Sequence, residues 1–445
     1  MRRICLALVV WGVNLGCGSG TQPTRKVIEG PTRFGKGIES VSKAFSDIHP
    51  SISEDGARVT FVSARIPHEG VYRSYRFAVG TDELAQTLTN GEHGEELKAT
   101  ISPDGNWVLV STLVDSKERL IFQEYGNRAN FLAVSEGDEE IKGYALSTDS
   151  PPELALLIRG ADGADRIDII EFLTSGDKVS VSQKKTVGDL VQGEHGVRWT
   201  KSGNLTGLMT RYTVLGTASF FYRGKEATKD IGSLEKISHE DFTKVLNLPY
   251  AIGDMGFVFV QSRGNQKHQV TPESNKEAPK DIIHRHRILS SSLDGTNLGE
   301  LANQQYKILQ VGATRVGQLA VSLGYEAFDC LAAGDGRFYG SSLFLYTGEK
   351  TKKVLIKYGE DNAIELITEN TCESFEEGKA GGDQPLDLQL SQFALAGRFQ
   401  ENKLSLAYKS WHGGDNEIFH LEMTFDGDSL SLSRATRISN NAMVQ

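Results

Sequence analysis

The sequence predicts an all-β fold, a β-propeller of four-stranded blades. A turn motif recurs ahead of apolar strands, and its first two copies are one blade-length apart. Gly is abundant at 47 residues while Pro is scarce at 11, which assigns the glycines to turns between strands. A hydrophobic fraction of 39% and a charged fraction of 24% suit a globular chain and exclude wholesale disorder.

The first copy is Pro50-Ser51-Ile52-Ser53-Glu54-Asp55-Gly56, running into Val59–Ser63. The second is Ala99-Thr100-Ile101-Ser102-Pro103-Asp104-Gly105, running into Val108–Ser111. Asp before Gly is turn chemistry: Gly accepts a positive φ, and Asp bonds back to the local backbone. The β-branched and aromatic runs that follow suit buried strands. From Asp55 to Asp104 is a step of 49 residues, within the range of one four-stranded blade.

These segments resemble the TolB-type repeat, the WD40-like Ser-Pro-Asp-Gly propeller family. A blade of that family continues with a Tyr- or Phe-bearing strand and a Leu-Thr-Asn strand. Val71–Tyr75 and Leu120–Phe122 match the former, and Gln86-Thr87-Leu88-Thr89-Asn90 the latter. The last blade repeats the pair at Glu417–Leu421 and Ala435–Asn440. Degenerate second strands follow at Leu154–Ile158, Leu205–Met209, Phe257–Gln261 and Leu319–Ser322. The resemblance implies seven blades over residues 45–445, beginning near His49, Leu97, Gly143, Val197, Val245, Tyr306 and Leu386; six is the alternative count. The α/β domain that precedes the propeller in TolB itself is expected to be missing, so TolB's own role does not simply transfer.

Arg2 and Arg3 followed by the apolar run Ile4–Leu15 read as a secretory signal, the run being too short to span a bilayer. Gly16-Cys17 resembles a bacterial lipoprotein cleavage site, with Cys17 lipidated; ordinary signal cleavage nearby is the alternative. Residues 1–16 are then the signal peptide and 17–44 a flexible anchored linker. Gly18 after the cysteine favours, by the same resemblance, the outer membrane, with the propeller facing the periplasm or the cell surface. In an oxidising compartment the remaining cysteines, Cys330 and Cys372, are a disulfide candidate, two separate thiols being the alternative. Such a bridge closes about 40 residues, worth roughly 3–4 kcal/mol in the loop-entropy model.

Propeller geometry puts second-to-third-strand loops and blade-to-blade loops on one face, opposite the Asp-Gly turns. Three long polar insertions are expected on that face: 263–287, 324–340 and the acidic 357–384. Nine of the ten histidines are assigned there as well, His420 being the strand exception. His284-Arg285-His286-Arg287 and Trp411-His412 are the candidate binding residues. The basic cluster suits an acidic partner, a metal or the chain's own acidic loop, and tryptophan is enriched at binding hot spots.

A formal charge of −10 argues against nucleic acid as the partner. No Gly-x-Ser-x-Gly, phosphate-binding Gly loop, His-Glu-x-x-His or Cys-x-x-Cys motif occurs. The reading is therefore a monomeric, non-catalytic propeller without cofactor or metal, binding an envelope protein or a peptide segment. The alternative is a metal-assisted lyase or hydrolase acting on a glycan at the channel, as in the oligogalacturonate lyases that resemble this repeat class.

Overall fold

A computed structural model describes residues 47–439, apart from 65–70, 82, 136–138, 161, 177, 191–193, 200–204, 214–215, 225–233, 238–249, 253–255, 268–281, 293–297, 305–306, 315–318, 330–336, 348–349, 359–363, 368–389, 400, 413–414 and 427–428. The signal peptide, the linker, Cys17, Cys330 and Cys372 all lie outside the described residues.

The described strands form seven antiparallel sheets, each built from consecutive strands. The first holds β1 (Asp47–Ile52), β2 (Arg58–Ser63), β3 (Arg73–Ala78) and β4 (Gln86–Thr87). The second holds β5 (Glu95–Ile101), β6 (Trp107–Val114), β7 (Lys117–Glu124) and β8 (Phe131–Ala133). The third holds β9 (Glu140–Leu146), β10 (Leu154–Arg159), β11 (Asp165–Ser175) and β12 (Lys178–Leu190). The fourth holds β13 (Glu194–Trp199), β14 (Leu205–Thr213), β15 (Gly216–Gly224) and β16 (Leu234–Ile237). The fifth holds β17 (Tyr250–Ile252), β18 (Gly256–Lys267), β19 (Ile282–Ser292) and β20 (Leu298–Gln304). The sixth holds β21 (Lys307–Ala313), β22 (Leu319–Asp329), β23 (Arg337–Thr347), β24 (Lys350–Tyr358) and β25 (Ile364–Ile367). The last holds β26 (Leu390–Leu395), β27 (Lys403–His412), β28 (Asp415–Asp426) and β29 (Ser429–Arg437).

The second strands explain why the repeat reads as apolar runs instead of alternation. The second and third sheets each stand between two neighbours, so their central strands are covered on both faces. In β6 every residue from Trp107 to Thr112 is buried, and in β10 every residue from Leu154 to Ile158. Outer strands keep one face in solvent and alternate, as Ser429-Leu430-Ser431-Leu432-Ser433 does in β29.

Apolar clusters bridge consecutive sheets. Between the second and third, Phe122 stacks on Trp107 at 4.9 Å and on Phe172 at 3.9 Å, beside Leu109, Leu154 and Ile170. Phe122 is fully buried, a burial worth about 1.5–3 kcal/mol. Val258, Val260 and Ile288 of the fifth sheet pack on Val311, Ala320 and Phe344 of the sixth. The sixth packs on the last through Leu319, Leu343, Leu406 and Phe419.

The first and last sheets share no strand. β1 and β29 are each edge strands of their own sheets, and the ring closes by packing instead of strand exchange. Phe61, Phe77 and Ala85 of the first sheet meet Ala396, Ala407 and Ile418 of the last. The Arg398 guanidinium donates to the Glu54 carboxylate at 3.2 Å across the same seam.

Two expected insertions turn out differently. Residues 324–340 were expected as an open loop, yet β22 and β23 pair from Leu319↔Thr347 as far as Asp329↔Arg337. The acidic 357–384 insertion contains β25, whose alternating Ile364-Glu365-Leu366-Ile367 pairs with Leu355–Tyr358 and makes the sixth sheet five-stranded.

Candidate functional site

The turn motif sets the geometry of everything near the axis. In the second sheet the Ser102 hydroxyl donates to Asp104 and accepts from the Trp107 amide at 3.0 Å, while Asp104 accepts from the Asn106 amide at 3.1 Å. Gly105, at φ +75°, lets the chain reverse. The first turn repeats the pattern with Ser53, Asp55 and Gly56. In the third sheet Ser147 accepts from the Glu153 amide at 2.8 Å, and in the sixth Thr314 accepts from Leu319 at 3.2 Å.

The turns also tie blade to blade. The Glu54 amide donates to the Pro103 carbonyl at 2.8 Å, and the Arg58 guanidinium donates to the Gly105 carbonyl and to Asn106. The Ser150 hydroxyl reaches Asp104 at 2.6 Å. Burial pushes the Asp104 carboxyl up, but the hydrogen bonds from Ser102, Ser150 and Asn106 outweigh it and hold it below its ordinary value. The repeat-turn residues Asp55, Gly56, Asp104 and Gly105 thus sit where the sequence puts them, as structural fasteners.

Counting back from these turns locates the channel. A cavity of about 610 Å³ is lined by residues of the first strands β1, β5, β9, β13, β21 and β26. Among the described residues, five first strands carry a one-residue bulge, at His49–Pro50, Leu97, Lys142, Leu309 and Ser391. The residue four places before the turn's Ser, Thr or Ala is His49, Lys98, Gly143, Gln310 and Gln392 in the five strands. His49, Lys98, Gln310 and Gln392 all line the cavity. They form a polar tier at a common register position. His49 holds its bulge at φ +54°, a left-handed conformation uncommon for a non-glycine residue.

Inner strands have one edge without a strand partner, and neighbouring blades cover parts of it with side chains. Gln392 accepts from the His49 amide at 3.1 Å. Gln310 accepts from the Phe393 amide at 3.0 Å and donates to the Phe393 carbonyl. The Ser51 hydroxyl accepts from the Ile101 amide at 3.1 Å, and the Trp199 indole donates to the Ala145 carbonyl at 3.1 Å.

The tier is electropositive despite the acidic chain. Lys98 lies over the Tyr144 ring at 5.2 Å, and Lys409 of β27 is the register partner of Gln392. Burial, then the charges of Lys98 and Lys409, lower the His49 pKa and keep the imidazole neutral. Burial likewise lowers the Lys409 pKa. Among the described residues no carboxylate lines the cavity, and no group of three or more His, Cys, Asp or Glu converges to hold a metal.

The sequence-predicted candidates fall near the same end of the molecule but not in loops. His284, Arg285, His286 and Arg287 begin strand β19, paired with Asn265, Ser262 and Gln261 of a longer β18 than expected. Their polar run hid a strand because β18 extends the ladder as far as Lys267↔Ile282. Arg287 is engaged within its own sheet, by Gln261 and by Glu300 at 3.6 Å. Trp411 and His412 end β27, opposite Asn416 and Asp415 in the β27–β28 hairpin. His49 and His195, assigned to loops from sequence, lie in β1 and β13. None of the tier residues except His49 had been singled out. The available signal was the constant offset of four residues from each turn.

No family model matches the chain. The restriction of telomere capping protein 5 of Meyerozyma guilliermondii is 22% identical over 284 residues, 60% of this chain. The chain spans about half of that relative's length, since 49% of it is covered. The propeller domain of the Trilobed protease from Pyrococcus furiosus, described as having an open velcro topology, superposes at TM-score 0.51 with 10% identity, covering 90% of this chain and 99% of that one. This protein is a β-propeller. Its closure by packing, without strand exchange, is seen in the separate first and last sheets. TolB-like and other propellers are among its structural neighbours. A putative TolB from Agrobacterium tumefaciens aligns at TM-score 0.37 and 17% identity over 59% of this chain and 81% of that one. An oligogalacturonate lyase in complex with manganese aligns at 0.49 and 11% identity, over 86% and 91%.

Proposed function

We propose that this propeller is a recognition module: an exported, lipid-anchored platform that receives a peptide segment or an extended part of an envelope protein at its channel, without performing chemistry. The observation that carries the reading is the polar tier. Four inner strands present imidazole, ammonium and amide groups at one register position, around a cavity of about 610 Å³. Amides and ammonium groups satisfy the carbonyls and side chains of an extended chain, which is how recognition sites of this kind gain orientation. Anchoring through Cys17, at the outer membrane, would hold the site where such partners pass, and a Cys330–Cys372 disulfide fits the same oxidising compartment.

The test is chemical cross-linking of the membrane-extracted full chain beside a Cys17→Ala form, with captured proteins identified by mass spectrometry. A partner recovered at near-stoichiometric yield, cross-linked to peptides containing Lys98 or Lys409 and weakened without the anchor, supports the module. Cross-links confined to other surfaces would overturn the channel as the site. Turnover of an acidic oligosaccharide that depends on added divalent metal would instead establish the glycan-cleaving alternative.

A further inference from the structure

We infer that the first and second sheets hold between them, at their turn ends, a site for a phosphate group, in which Arg58 and Arg76 supply the charge and the Tyr125 phenol a further hydrogen bond. None of these three residues lines the channel, so the inference stands apart from the recognition reading above.

The register of β2 and β3 brings the two arginines together. Thr60 lies opposite Arg76 and Arg58 opposite Ala78, which makes Arg58 and Arg76 diagonal neighbours on one face of the pair. That face looks at the second sheet, where the Thr60 hydroxyl donates to the Ala99 carbonyl at 2.8 Å. Both guanidiniums lie over the ring of Tyr125, just beyond β7, at 5.1 and 5.4 Å from its centre. One nitrogen of each is anchored to main chain of the second sheet. Arg58 Nη1 donates to the Gly105 carbonyl at 2.6 Å, and Arg76 Nη1 to the Tyr125 carbonyl. Their other acceptors are the neutral side chains of Asn106 and Gln86.

This pair of cations has no counter-charge. Among the described residues no carboxylate lies within ion-pair distance of Arg58, Arg76 or the exposed Arg128. The turn carboxylates are engaged locally, Asp55 with Ser53 and the Ala57 amide, Asp104 with Ser102, Ser150 and Asn106. Burial lowers the Arg76 pKa, and the charges of Arg128 and Arg58 act in the same direction, against the more distant Glu83. Two like charges held side by side cost free energy that a bound anion would recover. Donors for it are in place. Nε and Nη2 of Arg58 and Nε of Arg76 make no hydrogen bond among the described residues. The Tyr125 hydroxyl is buried without a partner, and burial pushes its pKa up to about 12, so it keeps the proton it would donate.

Charge and donor count favour phosphate over carboxylate. A carboxylate is matched by a single guanidinium fork, with one charge and two oxygens. A phosphate monoester carries about −1.5 to −2 and three terminal oxygens, enough to be shared between two guanidiniums and a phenol.

The test is isothermal titration calorimetry of the full chain with inorganic phosphate, and with acetate as the carboxylate probe. Phosphate should bind, and acetate far more weakly. Arg58→Gln/Arg76→Gln should weaken phosphate by about tenfold or more, while Arg58→Lys/Arg76→Lys, which keeps the charge, should retain part of the binding. Tyr125→Phe should weaken phosphate while leaving the melting temperature of the free protein unchanged, since the hydroxyl it removes has no partner there. Flotation with phosphatidylcholine vesicles, with and without phosphatidic acid, identifies the source of the phosphate. The Cys17→Ala full chain is used for it, so that an acyl anchor contributes nothing. Flotation only with phosphatidic acid, competed by inorganic phosphate, assigns a lipid headgroup; phosphate binding without flotation assigns a soluble phosphate ester. Phosphate that binds the Gln/Gln form as tightly as the unaltered protein would overturn the site. So would acetate binding as tightly as phosphate, or binding of neither phosphate nor vesicles.

Discussion

Gly56 and Gly105 occupy equivalent turns at the same φ of +75°, so alanine pays the same left-handed strain at both, about 1–2 kcal/mol. Their surroundings differ. A Cβ on Gly105 would meet the Arg58 Cδ and the Ser53 Cβ, both at 3.2 Å, and the long Arg58 side chain can give way. A Cβ on Gly56 would stand 2.6 Å from the Ser405 Oγ and 2.7 Å from its Cβ, on the other side of the closure seam. Ser405 is not free to move, because its hydroxyl contacts the buried His420 Nε2 at 2.6 Å. The first and last blades must separate, which adds an overpacking cost of about 1–3 kcal/mol. Gly105→Ala should therefore cost about 1–2 kcal/mol and Gly56→Ala about 2–5 kcal/mol. Thermal melts of the two variants, with limited proteolysis, read the difference. Gly56→Ala should also weaken channel binding, since the Gln392–His49 contact crosses the same seam. Ser405→Gly in the Gly56→Ala background removes both obstructing atoms and should recover part of the loss as a positive coupling. Equal melting of the two glycine variants, or no coupling with Ser405→Gly, would refute closure by packing at this point.

Acid should open the same seam. Burial, then the charge of Arg434, lowers the His420 pKa to about 4 from its ordinary 6.5. A base whose folded pKa is depressed contributes full stability above pH 6.5 and loses it as pH falls toward 4, about 3 kcal/mol at the limit. Melting temperature followed from pH 7 to pH 4.5 should drop more steeply in the unaltered protein than in His420→Gln; parallel curves would argue against a neutral buried imidazole. Ser102→Ala removes the acceptor of the Trp107 amide and a donor to Asp104, and a urea titration should register about 1–2 kcal/mol of lost stability. Non-reducing peptide mapping should recover Cys330 and Cys372 in one linked species, and two free thiols would dispose of the disulfide.

What the sequence reveals and what it hides divide along the range of the interactions. Asp104-Gly105 can be read because its chemistry is local: Ser102, Asp104, Asn106 and Trp107 satisfy one another within six residues. Thr314 makes the equivalent bond to Leu319 in the sixth sheet, yet no Asp-Gly pair follows it, so the turn is silent in sequence. The His284–Arg287 run looks like a loop because polarity is a weak guide where a ladder extends beyond the core, as β18 and β19 do. The polar tier is hidden for a different reason. His49, Lys98, Gln310 and Gln392 are of three different residue types, lie up to 343 positions apart and meet only because the ring closes. Even so, each stands four residues before its turn, and the bulges that present them recur at the same place. The turn fixes the register of the first strand, and the register decides which side chain reaches the channel. In a repeat whose turns are fasteners, variation at that one offset is the freedom left for choosing a ligand. That freedom has been spent here on a histidine, a lysine, a glycine and two glutamines.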